Sequence, residues 1–136
     1  MRTFSKMLIA VLIISALLPL WVTVSLLFYQ QGAIAALQIS ELTPDIEKIF
    51  LISGAYMLSF LLLFAVAAWW IARDNKAGLS LAFVLGVITL VRGIFLFTAF
   101  NKHGFEATIL ASVGTIDGIL ILIFSFLAKP RTEDIR

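Results

Sequence analysis

Hydrophobic residues do not alternate with polar ones along this chain. They gather in four long runs, at about residues 7–28, 49–72, 79–100 and 107–128, parted by short polar stretches. Each run holds 22 to 24 residues. At about 1.5 Å of rise per helical residue, that length spans a hydrocarbon core roughly 30 Å thick with some tilt. The pattern predicts an all-α membrane protein, a four-transmembrane-helix antiparallel bundle forming a single membrane domain over residues 1–136.

The breaks in the pattern carry further predictions. Arg2 and Lys6 precede the first run, as basic residues do in a signal peptide. The run is longer than the usual h-region of about 7–15 residues, and the nearest small-x-small site, Ala33-Ile34-Ala35, lies beyond Tyr29-Gln30-Gln31. A retained first span is expected. Pro19 removes a backbone donor inside it, so a kink is expected near Ser15 or Leu18. After the first run, Ile34, Leu37 and Leu42 recur at near-helical spacing among alanines and polar residues. They predict a short amphipathic segment on the outer surface, packed at the bundle mouth rather than acting as a lid. Thr43-Pro44-Asp45 then has the marks of a helix start: a capping hydroxyl, proline at the first helical position and an acid at the positive helix end. Trp69 and Trp70 read as an interfacial anchor at the far end of that helix.

Composition strengthens the membrane reading: 62% of residues are hydrophobic and 13% charged, against about half and about a quarter in soluble domains. The net charge of +2 matters less than its placement. Arg2, Lys6, Arg73, Lys76, Lys129, Arg131 and Arg136 fall on one side of the predicted bundle; only Lys48 and Lys102 fall on the other, with Glu41, Asp45, Glu47 and Glu106. By the positive-inside rule both termini and the Arg73–Gly78 loop are cytoplasmic. The expected location is a bacterial cytoplasmic (inner) membrane, with the lipid bilayer as the first partner. No basic cluster outside the membrane flanks suggests nucleic-acid binding.

Two of the runs carry an ionisable residue where hydrocarbon should be: Arg92 in the third and Asp117 in the fourth. Counting from the polar turn Asn101-Lys102-His103-Gly104-Phe105-Glu106 places Arg92 roughly 12 Å and Asp117 roughly 15 Å below the outer end. Either charge alone at the centre of a span costs about 2.5–3.5 kcal/mol. At matching depth on neighbouring helices each can relieve the other, and a guanidinium can make two parallel hydrogen bonds to a carboxylate. A structural ion pair setting helix register is the leading expectation; a polar site for a ligand is the alternative. Ser53, Tyr56 and Ser59 of the second span, Thr89 of the third and Thr115 of the fourth are the hydroxyls expected to complete a polar layer at that level. Small residues form stripes on the same two helices: Ala82, Gly86, Thr89 and Gly93 on the third, Ala107, Ala111, Gly114, Gly118 and Ser125 on the fourth. The Gly114–Gly118 spacing is that of close-packing membrane helices.

Enzymatic chemistry has little support. There is no cysteine, hence no thiolate nucleophile, iron–sulfur cluster or cysteine-ligated zinc. His103 is the only histidine, so this chain alone cannot supply two imidazoles to a haem. No carboxylate–histidine cluster has metal-ligand spacing, and no cofactor is expected. The first span lacks the embedded acid of small multidrug exporters. The absence of cysteine also sets the chain apart from vitamin K epoxide reductase-like proteins and tetraspanins.

The segments IFLISGAY in the second span, VRGIFLF in the third and TIDGILIL in the fourth resemble those of a bacterial group of uncharacterised small four-helix integral membrane proteins. The likeness runs from about Thr43 to Leu127 and implies the four-helix fold; that group has no established activity to carry over. The function expected from the sequence is thus a non-enzymatic accessory or structural subunit, acting through helix packing with a partner or as a homo-oligomer. The alternative is a binding protein for a small or lipid-like ligand, or a homo-oligomeric transporter, using the Arg92–Asp117 layer.

Overall fold

The structure, a computed structural model, describes residues 3–36, 38–100 and 105–129. Every element in that range is a helix: α1 (Thr3–Phe28), α2 (Gln30–Ala36), α3 (Pro44–Ala72), α4 (Lys76–Phe100) and α5 (Phe105–Leu127). The turn residues Asn101–Gly104, with Lys102 and His103, lie outside the described residues, as do Leu37 and the polar tail from Pro130. Three helices, α1, α3 and α4, are long and apolar enough to cross a membrane; the apolar part of α5, Ala111–Leu127, is shorter.

Local chemistry explains the boundaries. The Thr43 side chain caps α3 by accepting from the Ile46 N–H at 3.3 Å, with Pro44 in the first turn and Asp45 and Glu47 beside the positive helix end. Asp74 closes α3 in the left-handed region (φ 54°), its N–H donating to Ile71 and that of Asn75 to Trp70. An aspartate tolerates that conformation better than most residues. The Asn75 side chain then caps α4 through the Ala77 N–H at 2.9 Å. The helix α1 runs unbroken across Pro19, and the Thr23 hydroxyl donates to the Pro19 carbonyl at 2.7 Å.

The helices form a ring in which α1 packs on α3, α3 on α4, α4 on α5 and α5 on α1. Its main core joins Leu8 and Leu12 of α1, Phe64, Ala67 and Ile71 of α3, Ala82 and Leu85 of α4, and Ile121 of α5, with Ala128 just beyond it. All of these lie in the half nearest the α3–α4 turn. A smaller core at the opposite end packs Ala33 and Ile34 of α2 on Phe50 of α3, so α2 is folded onto the bundle end. Around this frame a large share of the apolar side chains face outward, among them Leu17, Trp21, Leu62, Val91, Phe95 and Phe126. A soluble protein seldom exposes contiguous apolar surface on that scale.

The α4–α5 contact is the tightest. A Cβ on Gly118 would lie 2.5 Å from the Leu90 backbone nitrogen, and one on Gly93 2.5 Å from that of Thr115. At Gly86 it would meet Ile121 and Leu122 at 3.0–3.1 Å. Ala111 is fully buried on the α5 side. Of the four glycines in the expected stripes, Gly114 alone has room: its added Cβ would sit 3.7 Å from Gly93 Cα, an ordinary contact. Backbones touch along this seam because glycine removes the side chain between them.

Candidate functional site

The seam fixes the relative height of the two charged residues. Gly93 lies opposite Gly114 and Thr115, and Gly118 opposite Leu90. This antiparallel register puts Arg92 and Asp117 within about two residues, roughly 3 Å, of one axial level. The expected match in depth is present.

The expected ion pair is not. Among the described residues no salt bridge joins Arg92 to Asp117. Arg92 Nη1 instead donates to the Met57 sulfur of α3 at 3.3 Å, and its guanidinium lies over the Phe60 ring with 5.0 Å to the centroid. The Asp117 carboxylate faces α1, where the Ser15 hydroxyl is its side-chain hydrogen-bonding neighbour, though outside strict hydrogen-bond geometry. Arg92 reaches across to Met57 and Phe60 of α3 and Asp117 to Ser15 of α1, so each charge meets a different neighbour.

The hydroxyls also differ from expectation. Tyr56 is 74% exposed, turned away from the interior. Ser59 is exposed and donates to its own helix at the Ala55 carbonyl, and Ser53 is half-buried. None of the three meets Arg92; Met57 and Phe60, one and four positions beyond Tyr56, do. Thr115 donates to the Ala111 carbonyl at 2.9 Å. Thr89 does belong to the layer: it is buried on the turn before Arg92, and its hydroxyl has no hydrogen-bond partner. Ser15 is the hydroxyl that sequence reasoning missed. A signal was available, since Ser5, Leu8, Leu12, Ser15, Pro19 and Thr23 form one buried stripe at three- and four-residue spacing.

The result is a polar layer to which all four long helices contribute: Ser15 from α1, Met57 and Phe60 from α3, Thr89 and Arg92 from α4, and Asp117 from α5. It fits within about one helical turn of height. Its contacts are unusually weak for its charges. A thioether is a poor acceptor, and Asp117 has no cationic donor. In apolar surroundings a serine or threonine on a helix can satisfy its hydroxyl on the carbonyl one turn back, as Thr23, Ser59 and Thr115 do. Ser15 and Thr89 do not, nor does Ser125 of α5 nearer the α3–α4 turn, although they are only 3%, 4% and 0% exposed. Buried polar groups without partners are uncommon, and one recognised cause is a bound water or ion.

The described residues contain no cluster of three or more histidine, cysteine or acidic side chains. A separate cavity of about 160 Å³ lies at the α3–α4 turn, lined by Ser5, Ile71, Asp74, Asn75, Lys76, Leu79 and Ala128. The fully packed Leu12, Phe64, Leu85 and Ile121 stand between it and the layer. Among the described residues the architecture is thus all-helical, with three apolar helices of membrane-crossing length and a shorter fourth. Comparison with known proteins adds nothing to this: no protein-family model, curated protein or solved structure matches the chain.

Proposed function

We propose that this is a non-enzymatic, four-span protein of the bacterial inner membrane, with both termini cytoplasmic, that binds a small polar ligand in the layer around Arg92 and Asp117. One observation carries the reading. Two opposite charges share a level inside the apolar part of the bundle, and neither is neutralised by the other. An ion pair would have accounted for both as internal glue. Without it, each charge bears a desolvation cost that a purely structural role does not return.

The accessory-subunit reading drew on the absent chemistry, the short loops and the small-residue stripes. Those stripes are consumed within the chain, where Gly86, Gly93 and Gly118 join α4 to α5, so they offer no surface to a partner. The proposed topology draws support from the α3–α4-turn end: Arg73 stacks on Trp69 at 4.7 Å and Lys129 on Phe83 at 5.5 Å, as cationic side chains do when they reach an interface over aromatic rings.

Two experiments test these statements. Thermal unfolding in lipid nanodiscs should show Arg92→Met and Asp117→Leu each retaining or raising the melting temperature. Singles that destabilise, with a double variant that restores the fold, would return the structural ion pair. For topology, the absence of native cysteine makes introduced thiols unambiguous. In intact cells, an impermeant maleimide should label Glu41→Cys and miss Lys76→Cys; the reverse pattern would overturn the orientation.

A further inference from the structure

We infer that the ligand of this layer is a small zwitterion, its anionic end on Arg92 and its ammonium end toward Asp117; the inference rests on the ligand-binding reading above. The layer holds one guanidinium and one carboxylate, so its formal charge is zero. A lone anion bound at Arg92 would leave Asp117 uncompensated and bring a net negative charge into the membrane. A lone cation at Asp117 would do the opposite. Each of those states retains an isolated charge in a medium that penalises it heavily. A species carrying both charges neutralises both side chains and leaves the total unchanged.

The neighbours suit this occupant. Arg92 engages only a thioether and a ring face on its α3 side, and an anionic oxygen is a far stronger acceptor than either. Thr89, on the turn before Arg92, is a buried hydroxyl without a partner, and Ser15 faces Asp117 outside strict hydrogen-bond geometry; each can donate to an anion or accept from an ammonium. Entry through the α4–α5 seam is closed by touching backbones. The joint between α3 and α4 is instead bounded by the flexible side chains of Met57 and Arg92. A free amino-acid-like molecule and the headgroup of a zwitterionic phospholipid share the required chemistry.

The test uses the full chain in nanodiscs of phosphatidylglycerol, with binding read by calorimetry and by the shift in melting temperature. The probes are glycine, β-alanine and 4-aminobutyrate, which vary the separation of ammonium and carboxylate, with acetate and methylammonium as single-charge controls. Discs containing phosphatidylethanolamine form a parallel arm. At least one zwitterion, or the phosphatidylethanolamine arm alone, should stabilise the protein while neither control does. Arg92→Gln and Asp117→Asn should each weaken that binding by at least about tenfold, the least that losing a charge-assisted hydrogen bond costs. Stabilisation by soluble probes identifies a free molecule; stabilisation by phosphatidylethanolamine alone identifies the lipid. Acetate binding as tightly as the zwitterions, dependent on Arg92 only, would overturn the zwitterion and leave a ligand site standing. No stabilisation in any arm would overturn the site itself.

Discussion

Near the α3–α4 turn, Leu8, Leu12, Phe64, Leu85 and Ile121 meet with almost no surface left exposed. One to two turns further along, the same four helices meet through Arg92, Asp117, Ser15 and Thr89, where the Thr89 hydroxyl finds no partner and Ser15 faces Asp117 outside strict hydrogen-bond geometry. The first level is filled mainly by dispersion contacts between close-packed apolar side chains, which stabilise without directional demands. Ser125, one turn beyond Ile121, is its one buried hydroxyl without a partner among the described residues. The second contains groups that need specific partners and lack them within the chain. On the proposed ligand-binding reading, the contrast separates stability from function by position: the apolar level holds the bundle together, and the polar level bears costs that a ligand offsets.

Substitutions can break or sharpen this contrast. The largest effect is expected in the apolar level, where Phe64→Ala removes a side chain that is 2% exposed and should cost about 3–5 kcal/mol; reversible unfolding in mixed micelles measures it. Next comes the seam. Gly118→Ala drives a methyl into the Leu90 backbone and should destabilise by about 1–3 kcal/mol, the usual cost of overpacking. Gly114→Ala, four positions away, meets only ordinary contact and should be neutral or stabilising by up to about 1 kcal/mol through helix propensity. Equal losses at both positions would show that the register is wrong. Thr43→Ala should cost about 1 kcal/mol by removing the cap of α3, a loss local to the α2 end. The smallest effect belongs to the polar level. Thr89→Val replaces a buried hydroxyl without a partner by a methyl and should leave stability level or up to about 1 kcal/mol higher, while weakening the binding of a zwitterion. A destabilised Thr89→Val would mean that the hydroxyl has a partner inside the protein.

Much of this architecture is legible in the sequence. The apolar runs near 7–28, 49–72, 79–100 and 107–128 correspond to α1, α3, α4 and α5, and Thr43-Pro44-Asp45 marks the start of α3. Run length and capping chemistry are local, so they survive whatever the helices later pack against. The shared depth of Arg92 and Asp117 is legible too, because rise along a helix is nearly constant. Direction around the helix is not. A one-residue difference turns a side chain by about 100°, which separates exposed Tyr56 from Met57 on Arg92. Hydroxyls are natural candidates for a polar layer, and nothing in α3 alone marks a methionine and a phenylalanine as the residues beside a guanidinium. Likewise Gly114 and Gly118 look equivalent in sequence, and only the crossing of α4 over α5 makes one of them indispensable.

The central claim is that Arg92 and Asp117 share a level inside the bundle without bonding to each other. It is tested most directly by a ¹³C–¹⁵N dipolar-recoupling measurement on the lipid-reconstituted protein, between the Arg92 guanidinium nitrogens and the Asp117 carboxyl carbon. The account predicts no nitrogen–oxygen approach within the roughly 4 Å that defines an ion pair, with the guanidinium instead in range of the Met57 side chain. A short, bidentate Arg92–Asp117 contact in the ligand-free protein would contradict it.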